Sequence, residues 1–177
     1  TNSAPNDQLF FVAPAPDSAS TNRVDLTEYG YLAVFASSDY QTMKSPGYYL
    51  LRHQVRSSDG GAWDFITNPD AWDATPAIST TNKVPLVENV LRFEVSTYPS
   101  LSSSVSDVLP RSVTIMLCVI DRRTAARLNA VKGGAALTST ELGYIPDNID
   151  SLSAAVTNVL RGNVRTFYRT VALQNYR

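Results

Sequence analysis

A mixed α+β domain is what the chain predicts, with an antiparallel sheet or two small sheets and helices covering one face. Three observations predict it. Residues 84–98 and 109–121 are apolar stretches joined by a Ser-rich loop, and both alternate with the period of two expected of strands. Residues 121–162 carry apolar side chains at helical spacing instead. Residues 164–173 (VRTFYRTVAL) are rich in β-branched and aromatic side chains and read as a closing strand.

Along the chain, residues 1–8 are polar and expected to fray. Residues 9–13 (LFFVA) predict a short strand ended by Pro14 and Pro16, which remove ladder donors. Residues 24–37 predict a second strand, with Tyr29, Tyr31, Ala33 and Phe35 on one face and Leu32 and Val34 on the other. Ser45-Pro46-Gly47 is a turn signal, after which residues 48–55 (YYLLRHQV) should return antiparallel. Residues 57–83 are irregular, with Gly60-Gly61, Pro69 and Pro76, yet they hold Trp63 and Trp72 and so read as an ordered excursion folded onto the body.

In residues 84–98, Val87, Leu91, Phe93 and Val95 alternate with Glu88, Arg92 and Glu94, the pattern of one half-buried strand. The next strand has Val113, Ile115, Leu117 and Val119 on one face and Met116, Cys118 and Ile120 on the other. It should therefore be covered on both sides. Asp121 is a candidate N-cap for a helix bearing Ala125, Leu128 and Val131, stopped by Gly133-Gly134. A long loop to Pro146 is expected. A second helix should then begin near Asp147 or Asn148, with Ile149, Leu152, Val156, Val159 and Leu160 as its stripe and Gly162 at its end.

With 177 residues, 44% of them hydrophobic, the chain (1–177) is expected to form one domain that folds without a metal or disulfide. Fifteen Lys and Arg against sixteen Asp and Glu leave a net charge of -1, with neither sign gathered into a block. A nucleic-acid groove would show as a basic run with interleaved aromatics, and none is present. No stretch approaches the ~20 apolar residues of a membrane span. Because the first residue is Thr1, the chain reads as processed or truncated, with any targeting or anchoring segment upstream.

Chemistry-bearing motifs are sparse. His53 is the only histidine, lies in an ordinary strand and has no nucleophile elbow beside it. Cys118 sits within the most apolar strand, where a thiol acts as a small hydrophobe. Asp59, Asp64, Asp70 and Asp73 surround the tryptophans without the D-x-D-x-D-G spacing of a calcium loop. Trp63, Trp72 and Phe65 could present flat rings to a sugar or partner, although anchoring of a loop to the core is the commoner use of such residues. Glu88, Arg92 and Glu94 read as a solvated ladder. Neither catalysis nor a cofactor is indicated.

The order of segments resembles the soluble domain of type IV pilin-like proteins, particularly minor pseudopilins of the J type in type II secretion systems. The residues carrying the likeness are Glu28-Tyr29-Gly30-Tyr31-Leu32-Ala33-Val34, followed by Tyr48-Tyr49-Leu50-Leu51-Arg52, then Leu86 through Val95 and the Leu109-Pro110-Arg111-Ser112-Val113-Thr114-Ile115 return. Phe167 to Leu173 is similar to the family's final strand. The chain also looks similar to pilin-like proteins of the Verru_Chthon cassettes. The resemblance implies a pilin-like head whose hydrophobic N-terminal helix lies upstream. It implies an inner-membrane anchor, a periplasmic or surface-exposed head that is monomeric alone, and other pilin or pseudopilin subunits as partners. The function implied is that of a structural filament subunit. The competing expectation is an adhesion or carbohydrate-binding module working through the Trp63 to Trp72 loop.

Overall fold

The structure, a computed structural model, describes residues 7–16, 24–36, 46–56, 83–98 and 110–173. These form a mixed α+β fold with two antiparallel sheets. The four-stranded sheet has the order β1 (Gln8–Pro16), β2 (Val24–Ala36), β3 (Gly47–Arg56), β4 (Lys83–Glu88). In β2 and β3 the expected alternation sets the register: Leu32 lies opposite Leu51 on one face, and Ala33 opposite Leu50 on the other. Strand β1 does not stop before its prolines, as the sequence predicts, but continues through Pro14 and Pro16 opposite Leu26 and Val24. It is an edge strand of this sheet, so a missing N–H can face away from the ladder at no cost in pairing. Phe11 stacks on both Tyr29 and Tyr31, with ring centroids 5.5 and 6.0 Å apart.

The three-stranded sheet has the order β5 (Val90–Tyr98), β6 (Ser112–Ile120), β7 (Val164–Ala172). What the pattern predicts as one strand over 84–98 is thus two, β4 in one sheet and β5 in the other, and the change of sheet falls at Asn89. This residue has φ 63°, the left-handed region that asparagine enters more readily than other side-chain-bearing residues. Its N–H donates to the Tyr48 carbonyl of β3 at 2.6 Å, and its own carbonyl accepts from Ile120 of β6 at 3.1 Å. One residue therefore bonds to both sheets. A bulge between Val90 and Arg92 follows and turns Leu91 to the side opposite Phe93, where the simple alternation had placed them together.

Between β6 and β7 the chain forms α1 (Arg122–Val131), α2 (Ser139–Gly143), a 3₁₀ turn (Ile149–Ser151) and α3 (Ala154–Leu160). Asp121 caps α1 as expected, its side chain accepting from the Thr124 N–H at 2.7 Å. Gly133 and Gly134, both at positive φ, end it. Helix α2 occupies what reads as loop. Thr138 and Glu141 form a capping box at its start, and Lys132 at the end of α1 holds the same carboxylate at 2.9 Å. The single helix expected from Asp147 is divided, because Leu152 is extended (φ -76°, ψ 167°) and helical geometry resumes only at Ala154.

The molecule has three layers, with the three-stranded sheet in the middle. Met116, Cys118 and Ile120 face the helices and are buried with Leu128, Ile145 and Leu160. Ile115, Leu117 and Val119 face the four-stranded sheet and pack with Leu50, Val90 and Phe93. Strand β6 is thus covered on both sides, as its two apolar faces require. Asp7 ties the sheets at one end: its N–H donates to Phe93 O at 2.9 Å, and its carboxylate accepts from the Val95 N–H at 2.7 Å.

Candidate interaction surface

Trp63, Trp72 and Phe65, together with Asp59, Asp64, Asp70 and Asp73, lie outside the described residues. His53 is half-buried in β3, opposite Gly30 of β2. Cys118 is wholly buried, and its Sγ lies 3.7 Å from the Thr166 hydroxyl. Burial pushes this thiol's pKa up, against the smaller opposing effects of Thr166 and Arg92. A thiol held protonated in this way is a poor nucleophile.

The expected solvated ladder of Glu88, Arg92 and Glu94 is not formed. The Arg92 side chain is 17% exposed and lies against the helical layer, where its guanidinium bonds the carbonyls of Leu142, Gly143 and Ile145 and pairs with Glu94. The Leu142 and Gly143 carbonyls end α2 and that of Ile145 follows just after its cap, where electron-rich groups lack helical partners and a cation is favoured. Arg92 is therefore a strap between β5 and the helices, and Glu88 stands apart from it in solvent on the neighbouring sheet. Among the described residues no group of three His, Cys, Asp or Glu side chains could hold a metal ion, and no helix is long and apolar enough to cross a membrane. A shallow hollow of about 410 Å³ is lined by Asp147, Ile149, Asp150 and Arg161, but the last two already pair with each other at 2.5 Å.

The most distinctive surface is β7. Among the described residues it pairs with β6 alone and forms one edge of the sheet. Phe167 is 56% exposed, Tyr168 66% and Val171 44%, so apolar side chains stand free on both of its faces. One face reads Arg165, Phe167, Arg169, Val171. These lie beside Val119, Leu117, Ile115 and Val113 of β6. The four-stranded sheet reaches over β5 but makes no comparable contact with β7, so among the described elements none covers this face. The opposite face carries Tyr168 and Thr170, the latter hydrogen-bonded through its hydroxyl to Thr114 at 2.9 Å. Helices cover that face only near Val164 and Thr166, the end of β7 beside Cys118.

Sequence reasoning placed a strand here but did not single it out as a surface. Its alternation of apolar and polar side chains is that of any closing strand. Its exposure follows from its place in the sheet order. Its nine residues without proline, in contrast to edge strand β1 with two, are the available signal. No family model, no curated protein and no solved structure matches this chain.

Proposed function

We propose that the chain is the head of a pilin-like structural subunit, a minor pilin or pseudopilin of a type II secretion or type IV pilus-like filament, and that it works through contacts with neighbouring subunits. The observation that carries the reading is the apolar, solvent-exposed edge strand β7 beside a strand, β6, that is covered on both sides. A surface that keeps Phe167, Tyr168 and Val171 in water is costly for an isolated domain and useful to one that spends its life beside others. The two-sheet antiparallel architecture with its helical cover supports the reading, as do the segments that resemble the pilin-like heads. The full-length protein would be held in the inner membrane by a helix upstream of Thr1, with the head in the periplasm or at the surface.

The test is made in the source cell. Phe167→Asp and Val171→Asp are introduced together, at positions already exposed and so compatible with the fold, and a thermal melt of the purified double variant confirms folding. Loss of filaments by electron microscopy, or of the secreted cargo from the medium, is the expected outcome. A photo-crosslinking phenylalanine analogue at position 167 should form an adduct with a sibling pilin-like subunit. Normal filaments and secretion in the double variant, with no such adduct, would overturn the reading.

A further inference from the structure

We propose that the free edge of β7 takes up an extended acidic strand from a partner subunit, which adds to the three-stranded sheet as its fourth member. The proposal rests on the subunit reading above and names the chemistry of the contact. Alternate residues of an edge strand turn their N–H and C=O groups outward, and such a row is a template for another strand. Of the other edge strands, β1 is blunted by Pro14 and Pro16, β4 is short and holds Pro85, and β5 already bonds Asp7 through Phe93 and Val95, whereas β7 keeps an N–H at each of its nine residues.

Charge selects the occupant. Arg165 and Arg169 flank Phe167 on one face, four residues apart, and neither joins any of the ion pairs formed among the described residues. Strand β7 carries no acidic residue, and neither does its neighbour β6. A second copy of β7 is a poor partner. Antiparallel self-pairing centred on Phe167 sets Arg165 directly opposite Arg169, and centring on Tyr168 gathers four guanidinium groups on one face with no carboxylate among them. Like charges at such spacing oppose pairing. A partner strand with the pattern acidic-x-apolar-x-acidic instead sets a carboxylate against each arginine and an apolar side chain against Phe167. That pattern reads the same in either direction, so the match holds whichever way the strand runs.

The probe is a synthetic nine-residue peptide with threonine on one face and glutamate, valine, glutamate, valine on the other. A control peptide carries lysine in place of both glutamates. Binding to the whole chain is followed by NMR, together with amide hydrogen exchange along β7. The glutamate peptide should bind about tenfold or more tightly than the control, since two attractive cross-strand pairs replace two repulsive ones. It should slow exchange at alternate β7 amides, the signature of a strand added in the ladder. Arg165→Glu combined with Arg169→Glu should reverse the preference toward the lysine peptide. Equal binding of both peptides, binding without slowed amides, or no binding at millimolar peptide overturns the proposal. If the peptides fail while position 167 still crosslinks to a sibling subunit, strand docking falls and the subunit reading stands. If the peptides bind but the doubly Asp-substituted head assembles normally, the reverse holds.

Discussion

Tyr48 connects the four-stranded sheet to the helical layer through one hydroxyl. It is buried against Phe35, with ring centroids 4.8 Å apart, and its oxygen accepts the Leu137 N–H at 2.5 Å. Burial pushes its pKa up to about 12, with the Leu137 bond opposing and the Glu141 charge adding to the rise. An acid whose folded pKa is raised stabilises the fold below its unfolded value near 10.0 and loses that contribution as pH climbs toward 12. In Tyr48→Phe the Leu137 N–H loses its acceptor, so the variant should be less stable at neutral pH by about 1–3 kcal/mol. The gap should close between pH 10 and 12, because only the wild type then has this proton to lose. Urea denaturation of both proteins across that range is the check, and a gap constant with pH would refute the assignment. Nothing in the sequence pointed to this role, since Tyr48 is one of nine tyrosines and its partner is 89 positions away. Arg92 was misread for the same reason. Its alternation with Glu88 and Glu94 fits a solvated ladder equally well until the end of α2 is seen to lie over it.

At the scale of elements, local patterns located nearly every strand, while their junctions escaped. Strands β2 and β6 fall where alternation put them, β3 where the turn before it puts its start, and β7 where its β-branched and aromatic composition puts it. The capping box Thr138-Ser139-Thr140-Glu141 was also legible as a helix start. Only five residues follow the cap before helical geometry ends, too few to show a periodicity. There, burial of Glu141 is outweighed by the Thr138 N–H and the Lys132 ammonium, which hold its carboxyl below the usual value. The break at Asn89 was invisible because Val84 to Tyr98 alternates acceptably across it. Yet that residue decides which sheet each half joins. Substitution by a β-branched residue forces a side chain into left-handed backbone, so Asn89→Val should cost about 1–2 kcal/mol. Asn89→Gly should stay within roughly 0.5 kcal/mol of wild type, since glycine takes that conformation freely. The two urea midpoints, measured side by side, decide it. Equal midpoints would mean that the backbone corner is set elsewhere.

At the scale of the whole molecule, the doubly apolar strand β6 explains why three layers form. A strand with Met116, Cys118 and Ile120 on one side and Ile115, Leu117 and Val119 on the other cannot meet its burial needs in two layers. The helices take one face and the four-stranded sheet the other. The stacking order was therefore legible in this one segment, while the exposed far edge at β7 was not, because it depends on which strands the second sheet fails to reach. Cys118 lies at the centre of the stack with no accessible surface and with its thiol pKa raised by burial. Reaching it requires separating the helices from β6 or taking apart the sheet, and both disrupt the largest buried cluster. Labelling of this single thiol by an aromatic disulfide reagent should therefore be slow in the native protein and complete at once in denaturant. In low urea its rate should rise as steeply with denaturant as global unfolding does, since the open state that exposes it is the unfolded one. A rate insensitive to urea would show that the helical layer lifts from β6 by itself. The three layers would then be held together less cooperatively than their shared core implies.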